Sequence, residues 1–179
     1  MLNLRNALLV TILVFSNIAI AKISPTKITP MPSPNPIGKL GVIIVASDSA
    51  KYIKEWLSTP SSHGVTIKRL KVAKPNQLIV SSFLVTGVSP NKLGNYSFSV
   101  SFYILGPNGK PIFGQRDYAK GKGKIPKTPT FIMADPAMDI VLEKSDPAGI
   151  YTIVAQVKDL VTGKQADNAY KIKFIKNEL

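Results

Sequence analysis

"NYSFSVSFYILGPNGKP", residues 95–111, decides the architecture. Tyr96, Phe98, Val100, Phe102 and Ile104 occupy alternate positions, with Asn95, Ser97, Ser99 and Ser101 between them. Successive side chains of a strand point to opposite faces, so the pattern describes an antiparallel strand with one face in a core and the other in water. It runs into "GPNGKP" (106–111), where Asn-Gly supplies the positive φ of a tight hairpin turn.

The period of two continues on both sides. Upstream, "NQLIVSSFLVTG" (76–87) is apolar on both faces and reads as a central strand. "VTIKRLKVA" (65–73) reads as another strand, and Val42–Ala46 as a buried β-branched one. Between them, "SDSAKYIKEWLSTP" (47–60) predicts a short helix, capped by Ser47 or Asp48, running through Leu57 and stopped by Pro60. Tyr52, Ile53 and Trp56 share one face of it, and Trp56 pins the helix onto the sheet.

Downstream, "MDIVLEK" (138–144) predicts a strand, and "DPAGIYTIVAQVKD" (146–159) a turn followed by an inner strand. Tyr151, Ile153, Ala155 and Val157 point inward there, and Thr152, Gln156 and Lys158 outward. Asp146 is placed to bond turn N–H groups, Gly149 to permit the turn, and the Tyr151 hydroxyl to bond back to the chain. "DLVTGK" (159–164) turns at Gly163 into "QADNAYKIKFIK" (165–176), with Tyr170, Ile172 and Phe174 inward. The expected fold is all-β: an immunoglobulin-like antiparallel β-sandwich of about seven strands with one short helix near the N-terminus.

The chain opens "MLNLRNALLVTILVFSNIAIA", with a basic Arg5, a short apolar run and Ala19-x-Ala21. This is the pattern of a signal peptide, residues 1–21, in which the apolar run is shorter than the ~20 residues that span a bilayer. Residues 22–39 hold five prolines and read as an extended tether, with the sandwich domain over 40–179. The expected location is outside the cytoplasm, periplasmic or extracellular. There is no cysteine, so the domain must stand on its hydrophobic core without disulfides.

Lys and Arg number 23 against 10 Asp and Glu, a net charge of +13, and the leader removes one base and no acid. Such a balance favours anionic partners. The bases concentrate in "GQRDYAKGKGKIPKTP" (114–129), read as a loop carrying Arg116, Lys120, Lys122, Lys124 and Lys127 with Tyr118 among them. These six residues are the candidate anion-binding site: a loop able to follow phosphates or sulfates, with Tyr118 stacking on a ring.

Other chemistry finds little footing. With one histidine and no cysteine, a zinc site of Cys and His is excluded. His63 lies beside Ser61 and Ser62 in sequence, whereas a triad converges from separate elements. No GxSxG or GxxxxGK[ST] pattern is present. The acids of "DPAMD" (135–139) and "DPAG" (146–149) are too sparse for a calcium loop. A glycosidase would need two carboxylates converging in one cleft. The C-terminal "KNEL" departs from an ER-retention signal at its second position.

"VTGVSPNKLGNYSFSVSF", "GPNGKPIF" and "DPAGIYTIVAQVKDLVTGK" resemble a group of small exported bacterial proteins of unknown function with an immunoglobulin-like domain. The resemblance spans about Trp56 to Phe174 and implies the fold without an activity. It also implies a cysteine at each end of the loop that runs here from Val88 to Tyr96, where this chain lacks that staple. The expectation is a non-enzymatic binding module that needs no cofactor. Its partner is a protein met through a sheet edge or loops. The alternative is an anionic glycan or lipid surface such as lipopolysaccharide, with nucleic acid a less natural partner.

Overall fold

The computed structural model describes residues 38–60, 63–128 and 130–176. The leader and nearly all of the proline-rich tether lie outside these residues. The elements are β1 (Gly41–Ser47), α1 (Lys51–Ser58), β2 (Val72–Ala73), β3 (Leu78–Thr86), β4 (Asn95–Leu105), β5 (Pro111–Lys124), β6 (Ile132–Met133), β7 (Met138–Val141), β8 (Gly149–Asp159) and β9 (Gln165–Phe174). Seven of these strands have four residues or more.

Two sheets pack face to face, which is the expected β-sandwich. In the first, β3 is central: β1 pairs along one edge, and β6 and β7 pair with it at opposite ends. The second has the order β2-β9-β8-β4-β5. The pairings are antiparallel except β2 with β9, which is parallel and departs from the expected wholly antiparallel sandwich. Alternation sorts the side chains. Ile79, Phe83 and Val85 of β3 meet Phe98, Val100 and Phe102 of β4 and Ile153 of β8 in the core between the sheets. Val80 and Leu84, on the other face of β3, pack with Val45 and the helix. The result is three layers, helix, sheet and sheet, with apolar burial on both faces of β3.

Tyr52 of α1 is buried, and its hydroxyl lies 2.7 Å from the Ser82 hydroxyl. Ile53 and Trp56 pack beside it, as the sequence pattern predicts. The cap differs from expectation. Ser47 ends β1 and is buried, Asp48 sits 3.8 Å from Lys68, and the helix starts later, at Lys51. Burial of β1 draws Ser47 into the sheet, so Ser49 accepts the Lys51 N–H instead (3.2 Å).

The expected strand over 65–73 shrinks to Val72–Ala73. This segment is a strap between sheets. The Leu70 N–H bonds Ala46 O of the first sheet, while Lys71 O accepts from Lys173 N of the second. A chain that changes sheets cannot keep one ladder partner.

The turn into β8 forms as read from the sequence. Asp146 Oδ2 accepts the Glu143 N–H (2.7 Å), and the Tyr151 hydroxyl donates to Pro147 O (2.9 Å). Gly149 has φ +144°, and a Cβ there would meet Pro107 at 2.7 Å.

Candidate functional site

The two flanks of the sandwich are built differently. On the β1 flank, the strand's outward carbonyls are taken. Val42 O accepts from Asn168 Nδ2 (2.9 Å), Ile44 O from Arg69 Nη2 (2.7 Å) and Ala46 O from Leu70 N (2.8 Å). The Arg69 guanidinium lies 4.3 Å from the Tyr170 ring centroid, and the Tyr170 hydroxyl bonds Leu70 O. This flank is sealed.

The opposite flank, between β5 and β7, is closed at its middle. Tyr118 donates to Ala137 O (2.8 Å), and Lys120 and Asp135 exchange backbone hydrogen bonds of 2.8 and 3.0 Å. Beyond this closure the sheets part around a cleft of about 310 Å³. Ile104, Ile112, Phe113, Ile140, Val141 and Tyr151 line it. Ile112, Phe113 and Val141 are 56%, 59% and 50% exposed, high values for large apolar side chains that share one opening. Asp139 and Asp146 stand at its rim. Asp146 is engaged as a turn brace.

The predicted anion site is redistributed. Residues 114–124 are not a loop: they belong to β5, an edge strand of 14 residues. Arg116, Asp117 and Tyr118 form a bulge opposite Ser101, and Asp117 takes φ +48° with its N–H on the Ser101 hydroxyl. Tyr118 is no stacking platform. Its ring packs edge-on to Phe102, 4.9 Å between centroids. Burial first, then the charges of Asp139 and Asp135, push its hydroxyl above the ordinary tyrosine pKa.

Lys120, Lys122 and Lys124 do share one exposed face, opposite Ser99, Ser97 and Asn95. Lys127 lies past the strand end, outside that face. The inward positions between these lysines are Gly121 and Gly123, over which the Phe98 and Tyr96 rings lie. The sequence pattern puts Ser99 in water. Instead it is buried, flanked by Lys120 on β5 and Lys158 on β8, and its hydroxyl finds no hydrogen-bond partner among the described residues.

His63 is exposed in the connection after α1. No group of three or more metal-ligating side chains gathers among the described residues. No described helix is long and apolar enough to cross a membrane.

No protein-family model matches the chain. No curated protein matches it. Solved structures similar to it include the CARDB domain of a Pyrococcus furiosus protein in complex with di-metal ions. That pair is 16% identical, with 76% of this chain and 88% of that one covered and a TM-score of 0.38. A family 123 glycoside hydrolase from Clostridium perfringens is 12% identical over 78% of this chain, with a TM-score of 0.43. This chain spans 28% of that hydrolase. Likenesses this distant carry neither metal binding nor glycan hydrolysis to this chain.

Proposed function

We propose that this domain is a non-enzymatic interaction module, exported as its leader suggests, that takes a protein partner at the open flank between β5 and β7. The observation that carries the reading is the contrast between flanks. One has its strand carbonyls capped by Asn168, Arg69 and Leu70. The other leaves Ile112, Phe113 and Val141 exposed around an apolar cleft. Apolar surface left together at a sheet edge is stabilised when a partner covers it, and an edge strand offers backbone groups as well.

The test is site-specific photocrosslinking in the native host, with the photoreactive residue at Phe113 and, as a control on the second sheet's outer face, at Thr152. The expected result is one recurrent protein captured at Phe113 and lost on Ile112→Ser. Equal capture at Thr152, or capture indifferent to Ile112→Ser, overturns the reading.

A further inference from the structure

A second surface stands apart from the cleft, on the outer face of the second sheet. Register places Lys120, Ser99 and Lys158 in one row across β5, β4 and β8. Phe98 and Val100 point into the core, so Ser99 points outward, between the two lysines. Lys122 stands beside Lys120 on the same face, opposite Ser97. Among the described residues the ion pair found is Lys68–Asp48, and none is found at these three ammonium groups. Ser99 is 3% exposed and its hydroxyl is unpartnered.

Buried hydroxyls normally find hydrogen-bond partners. Lys120 and Lys158, two strands apart on one face, repel each other, most strongly at low ionic strength. Both features are relieved by one kind of ligand. An oxyanion over Ser99 would accept from its hydroxyl and from the two flanking ammonium groups, roughly 10 Å apart at their Cα atoms, within reach of two long side chains. Lys120 and Lys122 are about 7 Å apart along β5, so a second anionic group on the same chain would meet Lys122.

We propose that the row Lys120–Ser99–Lys158, extended by Lys122, binds the sulfate or phosphate groups of an extended anionic polysaccharide. The site is a flat strip of sheet rather than a basic loop, and it uses Lys158, from a distant part of the chain. Arg116, Tyr118 and Lys127 lie outside it.

The experiment is calorimetric titration of the full domain with a heparin-derived hexasaccharide at low and moderate salt. Ser99→Ala changes no charge and is expected to weaken binding roughly tenfold, the loss of one hydrogen bond to a charged group. Lys120→Ser and Lys158→Ser should each weaken binding and reduce the salt slope by about one. Lys171→Ser and Lys173→Ser remove equal charge at the far end of the same face and should leave affinity within about twofold. The thermal midpoint of each variant separates lost binding from lost fold. If Ser99→Ala is silent and all four lysine variants weaken binding alike, diffuse charge accounts for the affinity and the site is overturned. Binding to anionic phospholipid vesicles with none to the hexasaccharide overturns the polysaccharide assignment.

Discussion

The Asp159 carboxylate ties two loops together. It accepts from Val161 N (2.9 Å), Thr162 N (3.3 Å), Thr162 Oγ1 (2.9 Å) and, 70 positions away, Ser89 N (3.0 Å). The last bond anchors the start of the loop from Val88 to Tyr96. Asn91 Oδ1 holds the rest of that loop through Leu93 N and Asn95 N. Burial pushes the Asp159 pKa up, but the hydrogen bonds outweigh it and hold the group below the ordinary carboxylate value. A lowered folded pKa contributes stability at neutral pH, and this is lost as pH falls through that folded value. Asp159→Asn should therefore cost on the order of 2 kcal/mol near neutrality. Urea denaturation from about pH 7 to pH 2 should show the gap between variant and parent closing at the acid end. Tyr151→Ala removes a buried ring that packs edge-on to Phe174 and bonds Pro147 O. Its expected cost is about 3 kcal/mol, and a loss near zero in the same denaturation experiment would contradict the inward placement of β8.

The elements differ in how far their residues announce them. β3, β4, β8 and β9 were legible because each carries its own apolar signal, continuous or alternating, and each stays in one sheet. The segment 65–73 has the same alternation, yet it crosses the flank between sheets, and alternation cannot distinguish a strap from a rung. The strand β5 was hidden for another reason. Two of its inward positions, Gly121 and Gly123, are glycines, since the space over them is filled by rings from β4, so there the apolar signal sits on the neighbouring strand. Phe98 covers Gly121 closely enough that an added Cβ would overlap the ring. Gly121→Ala should cost about 1–3 kcal/mol through that overlap, measured as a shift in urea midpoint at unchanged slope. Of the proposed lysine row, Lys120 and Lys122 stand out in the sequence, whereas Lys158 joins them only through the pairing of β8 with β4. The cleft gave one weak signal, Ile112 and Phe113 adjacent in sequence just after the hairpin turn.

Across the whole molecule, positive charge is carried with little internal compensation. The chain has net charge +13, and among the described residues the ion pair found is an exposed one of 3.8 Å. Pairs of that kind contribute little. Lysines instead line outer strand positions, and on an edge strand such as β5 they disfavour indiscriminate pairing. Their mutual repulsion is present in the compact state and weaker in the expanded one, so it opposes folding. Salt screens it, with a Debye length of about 30 Å at 0.01 M and 8 Å at 0.15 M. Stability should therefore rise with ionic strength. Scanning calorimetry from about 0.01 M to 0.3 M sodium chloride is expected to raise Tm by roughly 2–4 °C, corresponding to about 1 kcal/mol for a domain of this size. A Tm that falls over this range would mean that attractive pairs outweigh repulsion. Adding the hexasaccharide at low salt should raise Tm as salt does if it occupies the lysine row, since a ligand of the native state stabilises it by mass action. Salt and ligand should then be less than additive, because each removes the same repulsion between Lys120, Lys122 and Lys158.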